Sequence, residues 1–225
     1  GVSTQGAKAA ASHTGALEGS DAAIEALCRE AGISRAHNDD EFLDLLRVYS
    51  AQPTLASNKV AVVTNAGGPG ILATDAAEIA KLDLVHLADP GRTALKGKLP
   101  AAASVGNPID VLGDAAADRY LNAIEAAAND PQVDGLCVIL TPQIMTPVED
   151  VARAIVKEKK TRPLLSIVTS FFGGGSVQSA IAILAAAGIP NFQSPERAIR
   201  ALGALQEAKF DEEKKESMMI NAERQ

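Results

Sequence analysis

Aromatic side chains are scarce in this sequence. Phe, Tyr and Trp together make up 3% of its 225 residues, and Trp is absent. A surface with so few rings offers little of the stacking that holds single-stranded nucleic acids. Positive charge is also in deficit, because 21 Lys and Arg face 28 Asp and Glu, for a formal net charge of −7. Both shortages argue against a nucleic acid or an anionic membrane as partner.

Cysteine, histidine and long apolar runs are rare as well. The two cysteines, Cys28 and Cys137, both lie in apolar patterns, which predicts small buried side chains in a reducing compartment. The three histidines are scattered, so no metal-ligand spacing arises. No apolar run approaches the roughly 20 residues that a membrane helix needs, and no signal-peptide pattern opens the chain. We therefore expect a cytoplasmic protein without a metal site.

Small aliphatic residues are what the sequence does contain, with alanine alone close to a fifth of the chain. From Lys59 onward, short apolar runs alternate with helical patterns. The runs at 60–64 and 135–140 have no polar interruption, as expected for strands buried on both faces. Strands that alternate with helices predict an α/β fold with a doubly wound parallel sheet.

The chain divides by composition into three parts. Small polar residues predict a loop over 1–19. Helical patterns start at Ser20 and at Asp39, and a short strand is predicted between these helices, over 33–36. A proline-containing linker is predicted over 52–58, and charged residues without an apolar face predict a tail at the end. The expected parts are a partial α/β domain, a complete α/β domain and a charged linker or tail, over residues 1–56, 57–208 and 209–225.

One histidine stands in a setting suited to chemistry. His13 is surrounded by small residues, with Thr14 and Gly15 directly after it. A neutral imidazole, whose ordinary pKa is about 6.5, is a nucleophile at neutral pH. Small neighbours would let a phosphate approach the backbone N–H groups. An exposed loop histidine without a chemical role is the alternative that the pattern leaves open.

A glycine-rich turn lies between a predicted buried strand and a predicted helix. It contains Asn65, Gly67, Gly68 and Gly70. Such a turn exposes backbone N–H groups at the positive end of a helix dipole, which favours an anion, most naturally phosphate. The alternative is a plain tight turn.

Two further segments accompany predicted strands. Asn107 and Asp110 lie at the strand predicted over 108–112, and three glycines at 173–175 precede a predicted helix. Ligands of parallel α/β sheets bind where strands end. Asn107 and Asp110 are therefore candidates for a substrate or interface contact, with an internal hydrogen-bonding role for Asp110 as the alternative. The three glycines fit either a close backbone approach or a flexible turn.

Several segments, taken in chain order, resemble the NDP-forming acyl-CoA synthetases. Residues 6–17 (GAKAAASHTGAL) look like the phosphohistidine segment of that family, and His13 aligns with the histidine that is phosphorylated. Residues 60–73 (VAVVTNAGGPGILA) resemble the start of the family's second flavodoxin-like CoA-ligase domain. Residues 104–113 (SVGNPIDVLG) and 141–143 (TPQ) resemble further motifs of that domain. The resemblance runs from about Gly6 to Leu205. It implies that 1–56 are the C-terminal half of the first CoA-ligase domain with the phosphohistidine loop, that 57–208 are the second flavodoxin-like CoA-ligase domain, and that 209–225 are a charged linker or tail.

The resemblance implies an acid–thiol ligase whose domain is flavodoxin-like, as in succinyl-CoA synthetase. Its reaction interconverts a small carboxylic acid, CoA and ATP with acyl-CoA, ADP and phosphate, through an acyl phosphate and a phosphohistidine. His13 would be the catalytic phosphoryl carrier. Thr14, Gly15 and the glycine-rich turn would hold the phosphate.

The family also has a CoA-binding domain and an ATP-grasp domain, on the same chain or on a second one. CoA and ATP or ADP with Mg²⁺ would be bound mainly by those domains, and we expect none to be held tightly by this chain. The family uses an acidic residue to position the phosphohistidine, and no residue here can be assigned that role. We expect this chain alone to be inactive.

Two other functions stay open. Related domains in some protein acyltransferases form a non-catalytic acyl-CoA-binding or regulatory module, in which the catalytic histidine is commonly lost. A dinucleotide-binding domain would use Gly68, Gly70 and the later Asp89, although Pro69 removes one N–H that a pyrophosphate needs. The presence of His13 favours the enzyme.

Overall fold

The computed structural model describes residues 3–14 and 20–208. Contacts between residues divide the chain into two compact units. One unit comprises residues 1–42 with 211–225, and the other comprises residues 43–210.

The described part of the first unit is helical. Helix α1 spans Thr4–Thr14, α2 spans Asp21–Ala31, and α3 spans Asp39–Ala51 and continues into the second unit. The predicted loop over 1–19 is thus wrong where α1 lies, because the alanines of this stretch strongly favour helix. The strand predicted at 33–36 is also wrong, since these residues pair with no strand in the described part of the chain.

Helix α2 starts and ends where its sequence signals predict. The Ser20 side chain accepts a hydrogen bond from the Ala23 N–H, and Gly32 takes a left-handed conformation with φ of 63°. The Arg35 side chain then pairs with Asp21 and Glu25. These contacts close the turn that follows α2.

The second unit is built on a parallel sheet. Its strands are β1 (Lys59–Thr64), β2 (Asp83–Leu84), β3 (Ile109–Asp110), β4 (Gly135–Leu140) and β5 (Ser166–Phe171). The strand order is β2-β1-β4-β5. Strands β2 and β3 share one edge of β1: β2 pairs with the first two residues of β1, and β3 pairs with its last two. Every pairing is parallel, so the predicted α/β parallel fold is confirmed.

Helices cover both faces of this sheet. They are α4 (Gly67–Ile79), α5 (Asp89–Lys96), α6 (Ala117–Asn129), α7 (Val148–Thr161), α8 (Gln178–Ala186) and α9 (195–208). A 3₁₀ turn at Gly174–Val177 precedes α8. Among the described helices, none combines the length and the apolar content needed to cross a bilayer.

Alternate residues of each strand are buried on opposite faces. Val60 and Val62 of β1 belong to the core with α3, α4 and α9, whereas Ala61 and Val63 belong to the core with α5 to α8. A Cβ added to Gly203 of α9 would come 2.9 Å from the Cβ of Ala80, which shows how closely the helices pack here. The alanine-rich composition therefore reflects helices packed tightly on a sheet that is buried on both faces.

The two cysteines differ in burial. Cys137 is fully buried in β4, as predicted, and burial raises the pKa of its thiol to about 12. Cys28 in α2 is partly exposed, so the prediction of burial is wrong for it. Both are free thiols.

Residues 43–56 belong to the second compact unit, although a linker is predicted over 52–58. The buried Gln52 side chain donates to the carbonyl oxygen of Gly188 (2.8 Å) and accepts the N–H of Ile167 in β5 (2.9 Å). This amide completes the backbone hydrogen bonding at the edge of β5. The compact unit consequently begins before the domain boundary expected between residues 56 and 57.

A second side-chain amide completes the edge of β1. Asn107 accepts a hydrogen bond from the Val62 N–H (2.9 Å) and donates to the carbonyl oxygens of Val60 and Val85 (2.8 Å each). Strands β2 and β3 are only two residues long, and Asn107 fills the interval between them. Its amide is fully occupied in the sheet, so the substrate or interface contact suggested for Asn107 is corrected to a structural role.

Replacing Asn107 with Ala is expected to lower the free energy of unfolding by at least about 2 kcal/mol, because it leaves buried backbone groups of β1 without partners. Chemical denaturation measures the loss, and hydrogen exchange at the Val62 amide localises it. Asn58→Ala is the matched control, since Asn58 makes one exposed bond, to the carbonyl oxygen of Lys81. Equal losses in the two variants would contradict the structural role of Asn107.

Candidate functional site

The carboxyl ends of the parallel strands meet at one edge of the sheet, where ligands of such folds bind. Asn65 follows β1, Asp110 ends β3, Thr141 follows β4 and Gly173 lies just beyond β5. The structure thus brings together, within the second unit, the strand-end features that the sequence singled out separately.

The N-terminus of α4 carries two unsatisfied N–H groups. Its N-cap residue, Ala66, has no capping side chain, and the Ala66 N–H is itself bonded to the Thr64 hydroxyl oxygen (3.1 Å). The Gly70 N–H donates to the Ala66 carbonyl oxygen (3.2 Å), and proline has no N–H to give. The N–H groups of Gly67 and Gly68 therefore have no partner among the described residues. They lie at the positive end of the helix dipole and can bind an anion.

The three glycines of this turn have different surroundings. A Cβ on Gly68 would meet nothing within 4 Å, and one on Gly67 would lie 3.9 Å from the Asp110 Oδ2. A Cβ on Gly70 would come 3.3 Å from the Thr64 Cγ2 and 3.6 Å from the Pro108 ring. Gly70 is buried and its N–H is already used. Its predicted role as a phosphate contact is therefore corrected to helix–strand packing.

Asn65 holds the turn to the neighbouring strand. Its side chain accepts hydrogen bonds from the N–H (2.9 Å) and the hydroxyl (3.0 Å) of Thr141, and donates to the Thr141 carbonyl oxygen (2.8 Å). Asn65 is buried, and these three bonds use its oxygen and one of its two amide N–H groups. The side chain holds the glycine turn to β4, and its contact with phosphate stays a prediction.

Tyr120 of α6 supports the same turn and escaped the sequence reasoning. Its hydroxyl donates to the Ile139 carbonyl oxygen (2.9 Å). Burial, together with the charge of Asp110, raises the pKa of Tyr120 well above its usual value, while a hydrogen bond from the Asn65 backbone opposes this. The helical spacing of Tyr120 indicated only a core position, and nothing in the sequence pattern pointed to its hydroxyl contacts.

Asp110 presents a carboxylate to the start of α4. One oxygen, Oδ1, accepts the N–H of Leu112 (2.9 Å), a residue with φ of 72°. That bond supports an unfavourable left-handed conformation at a non-glycine residue. The alternative of an internal hydrogen-bonding acid thus holds for one oxygen, while the other lies beside Gly67.

The loops after β4 and β5 pack on each other. A Cβ on Gly173 would overlap the ring of Pro142, and Gly174 has φ of 63°, so both glycines are required by the backbone. Ile144 and Met145 form an exposed apolar tip on the loop after β4. The Thr146 hydroxyl anchors this loop to the Ala115 carbonyl oxygen (3.1 Å).

The predicted catalytic histidine lies in the other unit. His13 and Thr14 are the last two residues of α1, and their side chains are outside the described part of the chain. Gly15 is also outside the described residues. The roles of these three residues stay predictions.

The dinucleotide alternative finds little support in the geometry. Asp89 is the first residue of α5, where it pairs with Arg92. Gly70, the second glycine of that fingerprint, is buried against Thr64 and Pro108. Within the described residues, no group of three His, Cys, Asp or Glu side chains is placed to hold a metal ion. The described strand-end groups left free are the two N–H groups of Gly67 and Gly68 and one oxygen of Asp110.

Known proteins share both parts of this chain. The family model of the Ligase-CoA domain matches residues 60–212, and that of the succinyl-CoA ligase like flavodoxin domain matches residues 1–49. Acetate–CoA ligase [ADP-forming] of Methanocaldococcus jannaschii is 42% identical over 89% of this chain and 29% of its own length. Acetate–CoA ligase [ADP-forming] II subunit alpha of Pyrococcus furiosus is 36% identical over 93% of this chain and 46% of its own length.

A solved structure shows the same fold. The Ca. Korarchaeum cryptofilum dinucleotide forming acetyl-coenzyme A synthetase 1, in complex with phosphate and ADP, superposes with a TM-score of 0.87 at 32% identity. The match covers 94% of this chain and 46% of that one. This chain thus spans less than half the length of the relatives it matches. Because the Ligase-CoA match alone covers well over half of the chain, this protein belongs to the Ligase-CoA domain family.

Proposed function

We propose that this chain supplies the phosphoryl-carrying histidine and a phosphate-holding helix terminus of an NDP-forming acyl-CoA synthetase. The observation that carries the proposal is the pair of free N–H groups on Gly67 and Gly68, at the ligand-binding edge of the sheet. The names of the relatives support the reaction class, since they are ADP-forming acetate–CoA ligases.

In the proposed reaction, phosphate displaces CoA from an acyl-CoA to give an acyl phosphate. The neutral imidazole of His13 then attacks phosphorus, the bond from phosphorus to the acyl oxygen breaks, and the carboxylate leaves. An oxygen of ADP finally takes the phosphoryl group from His13 and forms ATP. The reverse sequence activates the acid at the expense of ATP.

The helix terminus would hold a phosphate or phosphoryl group through its free N–H groups. The N–H groups of Gly67 and Gly68 are fixed by the fold before any ligand arrives, so they need no reorganisation during the reaction. The hydrogen bonds between the Asn65 side chain and Thr141 hold this turn to β4. Thr14 and Gly15, which follow His13 in the sequence, would hold phosphate as well.

The full activity needs parts beyond this chain. We propose that a CoA-binding domain and an ATP-grasp domain, on the same or a second chain, bind CoA and ATP or ADP with Mg²⁺, and that the acid is a small carboxylate. The Pyrococcus furiosus relative is called subunit alpha, which supports partners on a second chain. The two family matches, over 1–49 and 60–212, support two domains, which we propose to extend over 1–56 and 57–208. Residues 209–225 stay a proposed charged linker or tail. A cytoplasmic location fits these substrates.

In the complete enzyme, His13→Ala is expected to abolish incorporation of label from γ-labelled ATP and formation of acyl-CoA, because no other imidazole replaces the carrier. His37→Ala is the matched control, since His37 lies in the same unit and bonds to Glu41. The control should retain both activities. Label retained by the His13 variant would refute the proposed role.

The 225-residue chain alone is expected to form no acyl-CoA from acid, CoA and ATP, because it lacks the proposed nucleotide-binding part. A thiol-release or acyl-CoA assay on the purified chain measures this. Turnover by the chain alone would contradict the proposed division of labour.

Gly67→Pro is expected to lower phosphoryl transfer about 10-fold or more, because it removes one of the two N–H groups that bind an anion. Proline is favoured at the first helical position, and Ala66 already has the extended conformation that precedes a proline (φ −148°, ψ 126°). The fold should therefore tolerate this change.

Gly67→Ala is the matched control, since it keeps the N–H and places its Cβ at an ordinary contact distance. Its rate should stay within about threefold of wild type, a difference below 1 kcal/mol. Equal rates for the proline and alanine variants, with both folded by circular dichroism, would show that the Gly67 N–H does not hold the phosphoryl group.

A further inference from the structure

The backbone of Leu112 has a conformation that leucine avoids. Its φ is 72°, in the left-handed region that glycine adopts freely and that other residues enter at an energetic cost. Among the described residues, the other non-glycine residue with a positive φ is Lys81, with φ of 56°. Lys81 follows the end of α4, where a left-handed residue is common. Leu112 follows β3, and no helix ends there.

Packing does not account for the leucine at this position. Its side chain is partly buried, yet neither of the two hydrophobic cores formed by the described residues includes it or packs against it. A glycine would adopt the same backbone without strain. An apolar side chain that strains the backbone and contributes to no core is typical of a functional position.

Leu112 lies beside the glycine turn at the start of α4. Two residues before it, the Asp110 Oδ2 lies 3.9 Å from the position that a Cβ on Gly67 would take. One residue after it, a Cβ on Gly113 would lie 3.8 Å from the carbonyl oxygen of Asn65. The Leu112 N–H donates to the Asp110 Oδ1 (2.9 Å), which fixes the backbone that carries the side chain.

A neighbouring loop adds further apolar side chains at the carboxyl edge of the sheet. Ile144 is fully exposed, and Met145 is 64% exposed. Their loop is joined to that of Leu112 through Ala115. The Thr146 hydroxyl donates to the Ala115 carbonyl oxygen (3.1 Å), and the Ala115 N–H donates to the Leu112 carbonyl oxygen (3.1 Å). Apolar side chains grouped at the ligand-binding edge of a parallel sheet indicate a surface for an apolar ligand group.

We propose that Leu112 is a specificity-determining residue, whose side chain contacts the hydrocarbon chain of the carboxylic acid. The inference rests on the proposed function. In an acyl phosphate, the acyl carbon is bonded to an oxygen of the phosphoryl group, so a phosphate held by Gly67 and Gly68 places the acyl chain beside Leu112. An apolar chain gains free energy when it leaves water for contact with leucine, whereas a second carboxylate would lose hydration there. The site therefore takes acids with an apolar chain in preference to dicarboxylic acids.

The test compares two acids of equal length in the complete enzyme. Butyrate and succinate both have four carbons, and they differ at one end, which is a methyl group in butyrate and a second carboxylate in succinate. Acyl-CoA formation gives kcat/KM for each acid. Wild type should prefer butyrate by about tenfold or more, the discrimination typical of a small apolar contact.

Two variants separate the side chain from the backbone conformation. Leu112→Gly removes the side chain and permits the same φ, whereas Leu112→Asn keeps a side chain of similar size that is polar and tolerates the left-handed region. In each variant the preference for butyrate should fall about tenfold. Leu112→Gly should leave the midpoint of thermal unfolding of the 225-residue chain within about 4 °C of wild type or higher, since relief of strain offsets the lost contacts. A larger decrease would show a structural role and overturn the inference.

Lys81→Gly is the matched control, because it places glycine at the other positive φ, at the opposite end of α4 from the glycine turn. It should keep the wild-type preference and raise the midpoint of thermal unfolding by up to about 4 °C. If both Leu112 variants kept that preference, or if wild type preferred succinate, the role of Leu112 would be overturned, while acyl-CoA formation would leave the proposed function standing. If wild type formed acyl-CoA from neither acid, the inference would fail, and labelling of His13 from γ-labelled ATP would decide the proposed function separately.

Discussion

Strand β1 is buried on both faces and along both edges, so all of its backbone polar groups must find partners inside the protein. Strand β4 satisfies one edge, but the other edge meets two strands of only two residues each. The Asn107 amide supplies the three bonds that the interval between them requires. With the backbone hydrogen bonds on both edges satisfied, the position of β1 in the sheet is defined. The glycine turn that follows β1 therefore has a defined position beside the ends of the other strands.

Side-chain amides recur as substitutes for backbone pairing in this fold. Gln52 serves the edge of β5, and Asn191 bonds to both the N–H (2.8 Å) and the carbonyl oxygen (3.3 Å) of Phe171 at its far end. Asn65 joins the ends of β1 and β4 in the same way. Each amide presents a donor and an acceptor at the spacing of a peptide group, so it can continue a ladder where the chain itself cannot. These contacts satisfy backbone groups at the edges and ends of the strands.

Few polar groups are left free at the carboxyl edge of the sheet, and these can bind an anion. The described part of the second unit contributes two N–H groups from Gly67 and Gly68 and one carboxylate from Asp110. Preorganised donors are effective because they bind charge without moving. The overall net charge of −7 does not oppose this, since a few aimed N–H groups act locally. Membership in the Ligase-CoA domain family agrees with such a site.

The sequence by itself determined the parallel α/β fold, the family and the position of the glycine turn. Apolar runs without polar breaks specify buried strands, and glycine before a helical pattern specifies an open helix terminus. Only the tertiary structure decided which polar groups are free. Asn65, Asn107 and Gly70 fit a phosphate or substrate site by residue type, yet most of their hydrogen-bonding groups are used within the fold. The sequence pattern indicated only a core position for Tyr120, but its hydroxyl donates to the Ile139 carbonyl oxygen of β4. Hydrogen-bond partners lie far apart along the chain, and local patterns carry no information about them. Whether a group is left for a ligand is settled only when the strands are paired.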